Sequence, residues 1–574
     1  MTEPVLRIGN ASGFYGDRFS AVREMLTGGP LDVLTGDYLA ELTMLILGRD
    51  RLKDAEAGYA RTFLRQMEEN LGLAVDNGVR IVVNAGGLNP AGLADKLREL
   101  VDKLGIAAQV GHVEGDNLGD RAADLGLGEP LTANAYLGGW GIAECLRAGA
   151  DVVVTGRVTD ASLVVGPAAA HFGWARTDYD ALAGAVVAGH VVECGPQTCG
   201  GNYAFFTDSP GKLSRAGFPI AEISADGSTV ITKHEGTGGF ITVETVTAQL
   251  LYEIGDARYG GPDVTTRFDT ISLEQQGEDR VRISGVKGEA PPPTLKVCLN
   301  ELGGYRNEMT FVLTGLNIDE KADLVRSQLE AGLPNPPKQM RWTLARTDHP
   351  ERADASEQES SALLQCTVWD PDAKVVGRAF SGAAVELALA SYAGFHTTTP
   401  PGNGSPYGVY TAAYVPAEQV EHLAVLPDGT RVTMQPPADT RVIEPVAPPA
   451  SPGTSGSASG QTRSAPLGAV IGARSGDKGG NANLGVWVRP GERAEEAYRW
   501  LEDTLTVEQL KKLLPEAAAL TVTRHPLPNI GSINFVIEGL LGAGVAEGYR
   551  FDPQAKALGE WLRSRVVDIP ESLL

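Results

Sequence analysis

Short apolar, β-branched runs recur at Val5–Ile8, Asp32–Leu34, Arg80–Val83, Ala107–Val110 and Asp151–Val154. Stretches of helical period separate several of them, such as "YARTFLRQMEENLGLAVDNG" and "PAGLADKLRELVDKLG". Strands alternating with helices predict βαβ units and a parallel sheet covered on both faces, with right-handed crossovers. From about residue 206 the pattern changes. "ISLEQQGEDRVRISGVKG" predicts two strands around a turn, "NIDEKADLVRSQLEAGL" a capped helix, "ALLQCTVWD" a strand and "GRAFSGAAVELALASYAG" a buried helix. The chain is therefore expected to be α/β, with a layered parallel-sheet lobe over 1–205 and a mixed α+β lobe over 206–444. A cleft between two such lobes is a natural ligand site.

Residues 445–466, "PVAPPASPGTSGSASGQTRSAP", hold almost no large apolar side chains. Such a segment cannot offset its ordering entropy and reads as a flexible linker. Beyond it, residues 467–574 read as an α+β module with elements in the order β–α–β–β–α. "LGAVIGARSGDKGGNANLGVWVR" supplies strands around a polar loop, "ERAEEAYRWLEDTL" and "TVEQLKKLL" are helices, "INFVIEGLL" is a strand and "DPQAKALGEWLRSRV" a final amphipathic helix.

Composition narrows the picture. A chain of 574 residues is too long for one core. Its net charge of −23 argues against a nucleic-acid partner, which needs clustered Lys and Arg. No early apolar stretch follows a basic region and no run approaches the length of a membrane span, so a cytoplasmic protein without a membrane partner is expected. Five cysteines, an odd number, give no disulfide framework.

Polar residues follow the proposed strands: Asn10 and Ser12, then Asp37, then Asn84 and Asn89, then His112, Glu114 and Asp116, then Arg157 and Asp160. Each alone also reads as a helix cap or a strand terminator. Together they point to a site, because open parallel sheets bind ligands outside the carboxyl ends of their strands. The first of these ends, "VLRIGNASGFYGDRFS", looks like a phosphate cradle. Yet its glycines, Gly9, Gly13 and Gly16, match neither the Walker A loop nor the dinucleotide fingerprint, and no Lys-Ser or Lys-Thr follows them. The loop is expected to bind a substrate and not NAD or ATP.

Three further stretches carry chemistry. "HVVECGPQTCGGNY" offers Glu193, Cys194 and Asn202 among glycines that permit close approach. The spacing of Cys194 and Cys199 is not that of a zinc site, and no metal is expected. Cys194 as a nucleophile would need a base such as His190 or His234; a cysteine buried as a small hydrophobe is the competing reading. "KHEGTGGF" places His234 and Glu235 before a glycine turn, an arrangement suited to acid–base work or to an exposed loop. In "RSGDKGGN", Arg474, Asp477 and Lys478 lie among glycines whose N–H groups can help hold a phosphate or carboxylate.

In their order along the chain, "IGNASGFYGDR", "LTGDYLAELTM", "VVNAGGLNP", "GADVVVTGRVTDAS", "HVVECGPQTCGGNY" and "YGGPDV" resemble the acyclic terpene utilisation AtuA family, formerly a domain of unknown function, over about residues 5–440. "GARSGDKGGNANLGVW" and "RHPLPNIGSINFVIEGLLGAG" resemble the ferredoxin-fold module often fused to or paired with it. The resemblance implies catabolism of branched or isoprenoid acids as CoA thioesters. On that basis the expected activity is a C–C lyase or hydro-lyase step on a 3-hydroxyacyl-CoA, with coenzyme A entering as part of the substrate and no further cofactor. Asp37, Glu114, Asp160, Glu193, Cys194, His234 and Glu235 are the catalytic candidates. Asn10, Ser12, Gly13, Asn84, Arg157, Asn202, Arg474, Asp477 and Lys478 are the substrate-binding ones. The alternative is a non-catalytic binding or scaffold subunit of an acyl-CoA carboxylase or related complex. A homo-oligomer and contacts with other enzymes of the same pathway are expected.

Limited proteolysis should cut first between Pro445 and Pro466 and release fragments of roughly 440 and 105 residues. Initial cleavage inside residues 5–160 would contradict this boundary.

Overall fold

The computed structural model describes residues 5–209, 211–349, 351–446 and 461–574. Five strands form the parallel centre of an eleven-stranded sheet: β1 (Leu6–Asn10), β2 (Val33–Gly36), β3 (Arg80–Val83), β4 (Val110–Glu114) and β6 (Val152–Thr155), in spatial order β1-β2-β3-β6-β4. β5 (Thr132–Ala135) leaves this sheet and pairs antiparallel with residues 297–300. An antiparallel hairpin, β7 (Pro219–Ile223) and β8 (Thr229–Lys233), extends the sheet beyond β1, followed by Arg280–Ser284 and Ser272–Gly277. Leu423–Val425 and Arg431–Thr433 close the other edge beside β4.

Both faces of the sheet are covered, as the continuous apolar runs require. Ile81, Val83, Val152 and Val154 point into one core, with Phe63 and Leu97 from helices α3 (Arg61–Asp76) and α4 (Pro90–Leu104). Val82 and Val153 point into the other, with α5 (Trp140–Arg147), α6 (Ser162–Phe172) and α7 (Tyr179–Val192). α4 begins where its sequence directs: the Asn89 side chain accepts from Gly92 N–H, and Pro90 occupies the first turn. α7 is buried on every side from Ala181 to Val192, which explains its near-absence of polar residues.

Two differences from the expected strands matter. The fourth strand is Val110–Glu114, not 107–110, because its register opposite β6 begins at Val110↔Val152. His112 and Glu114 are therefore within a strand instead of beyond its end. β5, "TANA", has no large apolar residue, yet all four of its residues are buried; nothing in its pattern distinguishes it from a turn.

The chain forms two compact units, residues up to Asn300 with Tyr410–Val545 and Gln554–Leu574, and Glu301–Val409 with Ala546–Pro553. This division does not follow the expected boundary at 205/206. The second unit is built on the antiparallel strands Gln339–Ala345 and Ser361–Asp370 and the helix Ile318–Gly332. Apart from Ala546–Pro553, the C-terminal module lies in the first unit, with Trp487 fully buried in one of the two large cores. Its four-stranded sheet consists of Ile471–Lys478, Asn481–Val488, Ser532–Ile537 and Val522–Leu527 in that spatial order. The element order is β–β–α–α–β–β–α–β, not β–α–β–β–α, because the first apolar stretch turns back on itself at Gly479–Gly480 as one hairpin and the chain ends in the further strand Val566–Pro570. Of the proposed linker, 447–460 lies outside the described residues, while Thr462–Pro466 forms a strand paired with Val566–Pro570.

Gly184 in α7 packs against the β7–β8 turn, and an added Cβ would come 2.3 Å from the Gly227 carbonyl oxygen. Gly184→Ala should therefore cost about 1–3 kcal/mol of stability in chemical denaturation, since backbone must move to admit it. An unchanged midpoint would show that this contact is not tight.

Candidate functional site

A cavity of about 1280 Å³ opens at the carboxyl ends of β1, β2 and β6, and all of its lining belongs to the first unit. Arg157 is at its centre. The residue is 3% exposed, and its Nη1 donates to Asp160 Oδ1 at 2.7 Å and to the Leu39 carbonyl at 3.3 Å. Its guanidinium lies 4.3 Å from the centroid of the Tyr136 ring, a cation–π contact. Buried Asp116 accepts the Arg157 backbone N–H at 2.8 Å and the Asn134 amide at 2.7 Å, which holds the β6 terminus in place.

Asp37, after β2, faces the same space. Burial, reinforced by the negative charge of Asp160, pushes its carboxyl well above the ordinary carboxylate range, against the pull of Arg157. Asn84, at the end of β3, does not line the cavity. It stands behind Asp37, donating to Asp37 Oδ1 at 2.6 Å and accepting from Tyr38 N–H.

A second group surrounds Glu41, the first residue of α2 (Glu41–Arg51). Glu41 accepts from the Tyr136 hydroxyl at 3.0 Å and lies 3.6 Å from Lys296 Nζ. Burial opposes its ionisation, but Lys296 and Arg157 outweigh it and bring the carboxyl down to about 2. Lys296 is raised well above its ordinary value despite burial, through Tyr136 and Glu41.

The C-terminal end of α7 contributes His190 and Glu193, 3.1 Å apart. Burial raises the Glu193 carboxyl, and Glu193 in turn raises His190 against the same burial. Asn10 fixes this helix end by donating to the carbonyls of Val192 and Glu193 at 2.7 and 2.9 Å. Cys194 lines the cavity, but burial and the adjacent Glu193 keep its thiol protonated far above neutrality. Gly13 also lines it. Its N–H donates to Asp17 at 2.9 Å, and a Cβ there would come 2.8 Å from the Cys194 carbonyl carbon. The glycine thus admits the neighbouring backbone, and its N–H is already spent on Asp17. Ser12 is turned away, bonded to the Phe14 carbonyl.

The remaining wall comes from the C-terminal module. Arg474 bonds Gln197 and lies 4.4 Å from the Tyr252 ring centroid. Asp477 accepts from Lys556 at 3.3 Å. Lys478 Nζ donates to the Glu253 carbonyl at 2.8 Å, and burial with nearby Lys296 lowers its amine to about 8. Glu253, on the loop after α8 (Val243–Leu250), is raised by burial to about 7 in spite of Lys556, 3.6 Å away. Asn202 lies on the rim in a left-handed conformation, φ 57°.

Three expected residues are elsewhere. Glu114 pairs with Arg431 and, at 3.7 Å, with His112, a consequence of the shifted strand. His234 does follow β8, but its ring is buried beneath Gly28 and Gly29 with Nε2 2.9 Å from the Met25 carbonyl. Glu235 is exposed on the next turn. Conversely, Glu41, Tyr136, Lys296, Glu253 and Lys556 were not anticipated. "LTGDYLAELTM" does carry Glu41 four residues after Asp37, a spacing that could have flagged it.

A parallel-sheet α/β body whose polar cavity is completed by an appended antiparallel module defines the class of this protein. The chain belongs to the acyclic terpene utilisation family AtuA, whose model matches residues 6–426, and it carries the AtuA ferredoxin-like domain over residues 465–568. Membership implies a part in acyclic terpene utilisation. No curated protein and no solved structure matches the chain. Among the described residues, no helix is long and apolar enough to cross a membrane, and no cluster of three or more His, Cys, Asp or Glu is arranged to hold a metal.

Glu41 titrates at about 2 in the folded chain against 4.5 for the free side chain. Its depressed pKa contributes stability that is full above about pH 4.5 and is lost as pH falls towards 2. Glu41→Gln should flatten that part of an acid-denaturation profile; an unaltered profile would rule out the Lys296–Glu41 interaction as drawn.

Proposed function

We propose that the cavity performs acid–base lyase chemistry, cleaving a C–C bond or removing or adding water, on a branched or isoprenoid 3-hydroxyacyl-CoA. The observation that carries this reading is the coexistence of two groups titrating near neutrality, Glu253 at about 7 and Lys478 at about 8, with the buried cation Arg157 and the partly exposed cation Lys296 in one cavity. A catalytic acid or base works best with a pKa near the operating pH. In the cleavage, a carboxylate takes the proton of the 3-hydroxyl, the C2–C3 bond breaks, and its electron pair passes into the thioester as an enolate. Lys478 stabilises that charge and returns a proton to C2. In dehydration the carboxylate takes the C2 proton and the 3-hydroxyl leaves as water with a proton from the lysine. Arg157, a planar and permanent cation, suits a carboxylate or phosphate on the substrate.

The hydrocarbon part of the substrate has a matching surface. Phe14, Leu42, Ile46, Tyr414 and Ile443 are all exposed, between 38% and 67%, and all line this cavity. Exposed apolar side chains gathered at one opening favour an apolar ligand.

The full-length protein, incubated with 3-hydroxyacyl-CoA and enoyl-CoA thioesters and followed by mass spectrometry, should turn over one class. Glu253→Gln should lower kcat by about 100- to 10,000-fold with an unchanged melting temperature. Arg157→Lys should chiefly raise KM. Absence of turnover with both classes, together with capture of partner proteins, would favour the scaffold reading instead.

A further inference from the structure

Glu253 is one of the few residues other than glycine with a left-handed backbone, φ 58°. Such a conformation costs a non-glycine residue free energy and persists only where its surroundings impose it. Here the C-terminal module supplies those surroundings. The Glu253 N–H donates to Asn483 Oδ1 at 2.7 Å, and its carbonyl accepts from Lys478 Nζ at 2.8 Å. Asn534 Nδ2 donates to the Gly255 carbonyl at 2.7 Å and to that of Ile254 at 3.3 Å. The Asn483 amide in turn donates to Asn534 Oδ1, so the two side chains orient each other. Both asparagines are fully buried on neighbouring strands, Asn483 directly across from Val536 and Asn534 directly across from Gly485 in register. A Cβ on Gly485 would come 2.4 Å from Leu251 Cβ, so the strand is pressed against the chain leading into the loop.

Buried amides are costly unless fully bonded, and an apolar pair at these positions would pack the sheet equally well. Their hydrogen bonds go to backbone groups of a loop more than two hundred residues away in sequence. We propose that the C-terminal module is a clamp acting in cis: Asn483, Asn534 and Lys478 hold residues 253–255 in the left-handed turn that presents the Glu253 carboxyl to the cavity. Asn483 and Asn534 are positioning residues, since they reach the chemistry only through Glu253. The proposal rests on the acid–base reading of Glu253 for its functional meaning, but its geometry can be tested without turnover.

Infrared difference spectra of the full-length protein, recorded across a pH series, read protonated carboxyl groups directly. The Glu253 carboxyl faces Lys556, Asp477, Tyr252 and Glu41, and Lys478 lies against its backbone. In the unaltered protein a carboxyl band should titrate near pH 7 and disappear in Glu253→Gln. In Asn483→Ala that band should titrate at least one pH unit lower, because the released loop gives the carboxyl more fully to water, while the strands remain and the melting temperature falls with the loss of the Glu253 and Asn534 hydrogen bonds. Asn534→Ser is read in the same way and serves if Asn483→Ala does not fold. A band that stays near pH 7 in both folded variants overturns the clamp, as does the absence of any Glu253 band in the unaltered protein. If the band moves but no thioester is turned over by the unaltered chain, the clamp holds and only the lyase reading fails. Where turnover exists, Asn483→Ala should shift the acidic limb of the kcat profile downward with the band.

Discussion

A guanidinium cannot shed its proton, so burying one obliges a protein to surround it with acceptors and negative charge. Arg157 imposes that obligation here. Asp160 takes one N–H, the Leu39 carbonyl shares it, Tyr136 offers its ring, and Asp37 and Glu41 stand close enough to respond. The two carboxyls end in opposite states: Glu41, with Lys296 as a second cation, stays ionised, whereas Asp37, buried and crowded by Asp160, is driven towards its neutral form. Arg157 draws both towards the ionised form, and it is the depth of burial and the further charge beside each, Asp160 or Lys296, that separates them.

How much of this could be read from the chain depends on whether a residue's role is local. Parallel strands point their carboxyl ends one way, so Asp37, Arg157 and Asp160 converge although 123 positions separate the first from the last. The same rule failed at Glu114 through a strand displaced by a few residues, where alternation alone does not define the ends. Asn84 was placed at the right strand end but one layer too close, because sequence cannot distinguish a side chain that meets ligand from one that braces its neighbour. Lys296 lies on a strand of a different sheet and Glu253 on a loop after a short helix. Neither belongs to a motif, and only tertiary packing brings them to Arg157.

The glycine loop after β1 illustrates a different limit. Its composition invites a nucleotide, but composition does not reveal what approaches the backbone. In the fold, Gly13 makes room for the chain at Cys194, and Asp17 occupies its N–H. The polar loop of the C-terminal module is the opposite case. Its Arg474, Asp477 and Lys478 do reach the cavity, although they follow the proposed linker and belong to an antiparallel sheet.

The lining of the cavity runs from Gly13 to Lys556 along the chain. During synthesis the parallel sheet can close early, since its strands all precede residue 156. The basin above it then carries Arg157 and its acids while the wall bearing Lys478 and Lys556 is still untranslated. Only near the end of translation does the last charge arrive, and with such distant pairings the closing step is a slow one. The same late segment brings Trp487, Leu527 and Ile530 into the core beneath the sheet, so the basin and the body under it are completed together.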